Sequence, residues 1–217
     1  MQEGTDQQNP KAADIAIIVR QLAGTSGCVT PTLVAFQNVI RMTEEYPSLA
    51  SLTRRPEMRY VDPALRASWR PASNEYVTRW RGHEAELPGA LAKFRRQYTW
   101  MQALTKALAE AGVPLVAGTD ASVAMVIPGF SLPEEIRLLH AAGLSPAQSL
   151  VAATRDAAVC LGGGSDFGTI GVGKRADMIL LASNPLNDLS ALAAPIGVMV
   201  RGRWLTAAQL TQQLHSR

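Results

Sequence analysis

Hydrophobic residues recur with a helical period in two long segments of the chain. Apolar positions between residues 11 and 24 are spaced at i, i+3, i+4 and i+7, which predicts an amphipathic helix. Residues 88–111 repeat this spacing over a longer stretch, with Pro88 suited to the first turn and Gly112 to the end. Both segments should therefore pack one face against the protein interior.

Two further helices are predicted between the middle of the chain and residue 161. The first covers residues 133–142 and is stopped by Gly143. The second begins with the capping-box pattern of Ser145 and Gln148 around Pro146 and is expected to run to about Leu161.

Short apolar runs predict the strands. Residues 28–34 form a β-rich run, and residues 113–117, directly after a long helix, are typical of a buried parallel strand. Residues 176–181 predict another strand, and residues 198–205 predict a hairpin. An α/β region is thus followed, from about residue 165, by a small β region.

Residues 35–87 form the least regular stretch, here called the excursion. Four prolines divide it, and short helices separated by turns are the predicted structure. They are Pro47, Pro56, Pro63 and Pro71. Long excursions on compact domains often serve as lids or binding loops.

Composition excludes some function classes. The chain is 47% hydrophobic but holds no apolar stretch near the ~20 residues of a membrane helix, so no membrane partner is expected. Residues 1–10 lack the layout of a signal peptide, and the compartment stays open. Arginines and aromatics mix between residues 54 and 96, but acidic residues lie among them and no nucleic-acid motif accompanies them, so no nucleic-acid partner is expected.

The two cysteines, Cys28 and Cys160, are far apart in the sequence, and no CxxC is present. They are interpreted as two buried thiols.

Asp120 is the candidate for chemistry. It follows the predicted strand 113–117 at its carboxyl end, where α/β proteins collect catalytic groups, and Gly118 permits close backbone approach. A carboxylate there can bind a hard cation or accept a proton from a water molecule. An aspartate after a strand can equally be a helix N-cap or turn residue.

Five motifs in order extend this interpretation, and together they resemble the amidohydrolase superfamily, in its imidazolonepropionase-like and Xaa-Pro-dipeptidase-like branch. They are Val29–Leu33 and Ala111–Ala121, resembling barrel strands seven and eight; Leu138–Leu150; the A-A-T-x-x-A-A stretch Ala152–Ala158; and the G-x-I-x-x-G-K-x-A-D signature in Gly168–Leu181.

The resemblance implies a metal-dependent enzyme built on a TIM (β/α)₈ barrel, with one or two divalent metals, usually zinc. It gives Asp120 two roles, as metal ligand and as the catalytic acceptor of the proton of the attacking water. The family's remaining ligands do not occur here. Of the three histidines, His140 is interpreted as a structural helix residue and His83 as a surface residue; His215 is near the chain end. Asp177 is interpreted as structural, tying the preceding turn to the β region.

We therefore expect an α/β fold comprising the last units of a (β/α)₈ barrel (residues 1–164, including the excursion) and part of a small β-sandwich (residues 165–217). The parent enzyme would hydrolyse C–N bonds of a cyclic amide, an amidine or a dipeptide. The chain itself is expected to be an inactive C-terminal fragment that binds no metal alone and pairs with a complementing N-terminal half or with itself. The alternative is a non-catalytic binding or assembly module derived from a decayed barrel.

Overall fold

The computed structural model describes residues 11–121 and 123–215. The α-helices are α1 (Ala12–Leu22), α2 (Leu33–Glu44), α3 (Ala50–Thr53), α4 (Pro63–Ser68), α5 (Glu75–Thr78), α6 (Leu87–Glu110), α7 (Ser131–Ala141), α8 (Pro146–Ala152), α9 (Arg155–Cys160) and α10 (Ala207–His215). The strands are β1 (Met178–Leu180), β2 (Gly197–Val200) and β3 (Arg203–Thr206), and 3-10 turns cover Pro56–Tyr60, Glu84–Glu86 and Leu189–Ala193. None of the helices in these ranges has the length and apolar character needed to cross a membrane.

The two segments expected to be parallel strands do lie side by side. Val29 and Leu115 form a parallel bridge, in which the amide of Val29 donates to the carbonyl of Pro114 and the amide of Val116 donates to that of Val29, each at 2.9 Å. The pairing extends no further than this bridge, so the predicted strand lengths were wrong. This parallel pair nevertheless sets the direction in which the following loops leave the core.

The expectation of a β-rich run through residue 34 was also wrong, because α2 begins at Leu33. The carboxylate of Glu135, which comes from α7, accepts hydrogen bonds from the amides of Leu33 and Val34 at 3.0 and 2.7 Å. It thereby satisfies two of the amides that a helix leaves unpaired at its start. A local sequence pattern cannot reveal a cap supplied from a hundred residues away.

The main apolar core surrounds the parallel pair. Its buried side chains come from α2, α6, α7, α8 and the segments between them, and α1 packs Val19 and Leu22 against it. They are Leu33, Leu108, Val113, Leu115, Leu139, Ala142, Leu144 and Ala152. The helices predicted for residues 11–24, 88–111 and 133–142 are confirmed as α1, α6 and α7.

The excursion contains the short helices separated by turns that its prolines predicted, after a regular first helix, α2. It has an apolar core of its own, which also takes in residues that follow Asp120 in the chain. The buried members are Met42, Leu49, Leu52, Met58, Val61, Trp69, Val77, Ala124, Met125 and Ile127. The guanidinium of Arg55 adds a hydrogen bond, which it donates to the carbonyl of Met125 at 3.3 Å. The excursion is therefore packed onto the loop after Asp120.

The single helix predicted from Pro146 to Leu161 is divided into α8 and α9. Its capping box is confirmed, with Ser145 and Gln148 bonded reciprocally. The carbonyl of Ala152 accepts a hydrogen bond from the amide of Ala117 at 3.0 Å. Because this carbonyl is bonded to the segment after Leu115 and not to an amide of the next helical turn, the helix breaks here.

The C-terminal β region is a three-stranded antiparallel sheet in the order β1-β2-β3. The predicted hairpin is confirmed, and its turn residues Arg201 and Gly202 both have positive φ, which suits a type I′ turn. Asp177 accepts a hydrogen bond from the amide of Arg201 at 2.7 Å and another from Arg175. These bonds lower its pKa, the amide of Arg201 contributing most, and they confirm its structural role.

The interpretation of the cysteines as buried thiols was wrong. Cys28 and Cys160 form a disulfide with their Cα atoms 6.2 Å apart, and Cys28 is exposed. Cys28 immediately precedes the parallel bridge, and the break between α8 and α9 directs Cys160 toward it. The two cysteines are 132 positions apart in the sequence, so no local pattern could predict that they lie close together.

Candidate active site

Asp120 lies five residues beyond Leu115, at the carboxyl end of the parallel pair, and its side chain is exposed. Its φ is 49°, in the left-handed region, which aspartate adopts more readily than most side chains. Its carbonyl accepts from the amide of Val123 at 2.9 Å, so Asp120 opens a turn and is not the N-cap of a helix. The turn places its carboxylate at the surface of the site.

The loop after Val29 lies against the same edge. Gly118 is in such close contact with Thr30 that a Cβ at this position would collide with the threonine methyl group. Thr32 lies next to them and has a φ of 50°, which is rare for a β-branched residue. Residues held in sparsely populated backbone conformations cluster at functional sites. Two of them, Thr32 and Asp120, follow the parallel pair at one end.

Glu135 is the residue of this region that sequence reasoning missed. Its side chain is fully buried, and burial raises its pKa to about 7, although the amides of Val34 and Leu33 oppose the shift. A signal was available: Glu135 precedes Leu139 by four residues and so lies on the apolar face of α7, where a carboxylate is unusual. It fixes the start of α2 and with it the loop beside Asp120.

Tyr76 is the side chain of the excursion whose pKa responds to the charge of Asp120. Tyr76 packs against the excursion core, which includes Met125, and its pKa is raised mainly by burial, then by the negative charges of Glu75 and Asp120. The phenol of Tyr76 is therefore within electrostatic reach of the Asp120 carboxylate. The excursion core also includes Ala124 and Met125, so the excursion packs against the loop that follows Asp120.

The described residues do not by themselves form a metal site: within 11–121 and 123–215 no three His, Cys, Asp or Glu side chains are grouped to hold an ion. His83 is exposed and pairs with Glu86 at 3.1 Å, as expected of a surface residue, and Nδ1 of His140 bonds the carbonyl of Leu144 at 2.7 Å, as expected of a structural helix residue. The side chain of His215 is outside the description. A catalytic zinc site takes about three protein ligands, which Asp120 alone cannot supply.

The structure presents the carboxylate of Asp120 at the carboxyl end of the parallel pair of an α/β core. Residues 81–205 match the amidohydrolase family, a stretch that includes α6, Asp120, β1, β2 and all of β3 except Thr206. The chain belongs to the amidohydrolase family, which confirms the resemblance of its motifs. Members of this family generally use divalent metals.

Individual relatives agree with this assignment but are longer. An imidazolonepropionase of Syntrophobacter fumaroxidans is 33% identical over 100 residues, which cover 44% of this chain and 22% of the relative. The structure of a bottromycin amidohydrolase is 30% identical with a TM-score of 0.65, covering 95% of this chain and 45% of that one. A Xaa-Pro dipeptidase with bound methionine shares the fold at 18% identity, with a TM-score of 0.60 and coverages of 90% and 37%. The chain thus spans less than half the length of these relatives.

Proposed function

We propose that this chain is the C-terminal portion of a metal-dependent hydrolase that acts on C–N bonds of a cyclic amide, an amidine or a dipeptide. One observation carries the proposal: Asp120 occupies a left-handed turn at the carboxyl end of the parallel pair, inside the stretch that matches the amidohydrolase family. Catalytic groups of barrel enzymes collect at that end of the strands.

Asp120 serves as the general base of the proposed reaction. An exposed carboxylate can accept a proton from an attacking water molecule, and general-base catalysis typically contributes 10²–10⁴-fold to the rate. Asp120 is also one ligand of a divalent-metal site, zinc by preference, whose other ligands come from outside the described residues.

The remaining units of the barrel and sandwich would come from a preceding segment, a separate N-terminal half or a second copy. Residues 1–164 form the partial barrel and residues 165–217 the partial sandwich. Large apolar side chains exposed along α9, the following loop and β1 support this completion, because such a surface is costly in water. They are Val159, Leu161, Ile170, Val172, Ile179 and Leu180.

A non-catalytic binding or assembly module is the second candidate. Its support is that the main core, the excursion core and the Cys28–Cys160 disulfide lie within the chain, so the chain has the means to fold without further segments. Such a module would keep its fold and oligomeric state when all metal is removed.

Co-expression with the protein segment encoded directly upstream tests the proposal. We expect the pair to copurify with zinc and to hydrolyse at least one of a panel of cyclic amides, amidines and Xaa-Pro dipeptides. Asp120→Asn should lower kcat at least ~100-fold, while Asp166→Asn, an exposed aspartate bonded to its neighbour Ser165, should not. Unit zinc content and hydrolysis by the chain alone would overturn its status as an incomplete portion. An inactive pair would overturn the hydrolase role and favour the module, whereas full activity in Asp120→Asn would overturn the role of Asp120 as the general base.

A further inference from the structure

We propose that Cys28 is a thiol-exchange site, at which a small thiol of the glutathione type opens the Cys28–Cys160 disulfide and thereby releases α9 from the main core. The disulfide lies at the amino end of the parallel pair, whereas Asp120 follows the carboxyl end. The inference therefore does not rest on the proposed hydrolase reaction.

The two sulfur atoms of the disulfide differ in their access to solvent. Cys28 is exposed, and so is every residue from 23 to 27, among which Ser26 and Gly27 are small. Cys160, at the end of α9, is half-buried. Thiol–disulfide exchange depends on access to the sulfur that is attacked. Attack therefore falls on Cys28, and Cys160 is the leaving group.

A cleft of about 740 Å³ borders the disulfide and gives a small thiol room to approach it. One wall of this cleft comes from α8 and α9 and includes Val159. The other wall includes Ser26, Cys28 and Val113, at the amino end of the parallel pair. The disulfide joins the two walls, so its opening is also the step that lets them separate.

The exchange is balanced over two steps. In the first step the thiolate of the small thiol attacks Sγ of Cys28 and forms a mixed disulfide, while the bond to Cys160 breaks. The sulfur of Cys160 leaves as a thiolate and takes up the proton that the attacking thiol lost. In the second step another small thiol attacks the mixed disulfide, which leaves Cys28 as a thiol and joins the two small molecules. Two electrons thus pass from two small thiols to the protein.

Few contacts other than the disulfide hold residues 155–175, here called the α9 segment, against the main core. Within the described part of the chain, the hydrogen bonds and ion pairs of this segment all stay between residues 154 and 177. None of the apolar cores described there takes a side chain from it. Its one buried side chain, Ala158, packs against Gly168 of the same segment.

Opening the disulfide consequently frees the α9 segment without dissolving the rest of the fold. Helix α9 has six residues, and helices shorter than ~12–15 residues are marginal in water unless packing supports them. The chain on either side stays anchored, because Ala152 is bonded to Ala117 before the segment and Asp177 to Arg201 after it. The cleft beside the parallel pair is therefore closed in the oxidised protein and open in the reduced one, by local unfolding.

Peptide mapping of the purified full chain tests the site of exchange. The oxidised protein is treated briefly with reduced glutathione and quenched with acid, and its free thiols are alkylated before digestion. We expect glutathione on Cys28 and the alkyl group on Cys160, in at least tenfold excess over the reverse arrangement. S-Methylglutathione, which cannot exchange, is the control and should leave the disulfide intact. A smaller excess, or no exchange until the protein is denatured, would overturn the inference.

Hydrogen exchange tests the release of α9. The amide of Gly163 donates to the carbonyl of Ala158 at 2.8 Å, and in the main core the amide of Val113 donates to that of Leu108 at 3.0 Å. After reduction by glutathione, Gly163 should exchange as fast as in an unstructured chain, whereas Val113 should stay protected. Protection retained at Gly163 would mean that other contacts hold α9, and protection lost at both amides would mean that the whole core needs the bond. Either result contradicts the proposed release.

The double variant Cys28→Ser, Cys160→Ser separates the loss of the bond from any effect of glutathione itself. It should show the exchange pattern of the reduced protein, with Gly163 unprotected and Val113 protected, whether or not glutathione is present. A double variant with a protected Gly163 amide would show that the disulfide is not what holds α9. If this variant does not fold, the comparison of oxidised and reduced wild-type protein still decides the question.

Discussion

The side chain of Glu135 and the backbone amide of Val34 are 101 positions apart in the chain and are joined by a buried hydrogen bond of 2.7 Å. The second oxygen of the same carboxylate accepts from Leu33. One side chain thus joins α7 to the start of α2. Because Thr30 and Thr32 lead directly into α2, this contact also sets the loop that lies against Gly118, two residues before Asp120.

The buried position of Glu135 predicts a stability that falls as pH rises. Because the folded pKa is raised from 4.5 to about 7, the folded state holds the proton more tightly than the unfolded state. The contribution of Glu135 to the free energy of unfolding is complete below pH 4.5 and is lost as the pH rises through 7. Its size is roughly 3 kcal/mol. Urea unfolding at pH 5 and pH 8 measures the difference.

Glu135→Gln should remove this dependence of stability on pH, because the glutamine amide does not titrate. It should also lower stability at pH 5 by about 1–3 kcal/mol, since one amide donor of α2 then faces an NH₂ group. Glu110→Gln, at an exposed site beside Lys106, is the control and should keep the slope. A wild-type protein equally stable at both pH values would contradict the prediction.

Gly118→Ala should destabilise the protein by about 1–3 kcal/mol, because the new methyl group collides with the Thr30 methyl. Replacing Thr30 by serine removes that methyl group and keeps the hydroxyl, so the double variant should recover most of the loss. Thermal unfolding measures both. Gly89→Ala is the control: its Cβ would meet no atom within 4 Å, and in α6 it should add up to ~1 kcal/mol. If serine at position 30 does not restore the stability lost in Gly118→Ala, the collision with the Thr30 methyl group is not the cause of that loss.

Opening the disulfide should lower the free energy of unfolding by roughly 5 kcal/mol, because a link between residues 132 positions apart restricts the unfolded chain strongly. Unfolding with and without reductant gives the value, and the double replacement of Cys28 and Cys160 by serine should reproduce the reduced protein. Two reactive thiols in the native, unreduced protein would contradict the bond.

The hydrogen bond from Arg201 to Asp177 should protect that amide in the hairpin turn. Hydrogen exchange at Arg201 should accelerate in Asp177→Ala and less so in Asp177→Asn, which keeps an acceptor oxygen. Because the pKa of Asp177 is lowered, the wild-type protection is present above pH 3.8 and is lost as the pH falls through the folded pKa. Unchanged exchange in the alanine variant would show that the bond does not hold the turn.

The sequence predicted the structure best where the signal was local. Helical periodicity located α1, α6 and α7, the capping box located the start of α8, and the Arg201-Gly202 turn located the hairpin. The errors came from contacts between distant residues: Glu135 starts α2 inside an expected strand, Ala117 takes the carbonyl that would continue α8, and Cys28 meets Cys160. The position of Asp120 followed from its motif, whereas Tyr76, whose pKa responds to the charge of Asp120, comes from the irregular excursion, whose folding no short pattern specifies.

The Cys28–Cys160 bond also determines how the chain responds to cutting. The whole excursion, with its exposed turns, lies between the two cysteines, and so does Asp120. A protease that cleaves there once yields two pieces that stay covalently tethered and migrate as one band until a reductant is added. Cleavage within the β region after residue 160 releases its C-terminal piece at once, so gels run with and without reductant can map accessible bonds on either side of the bridge.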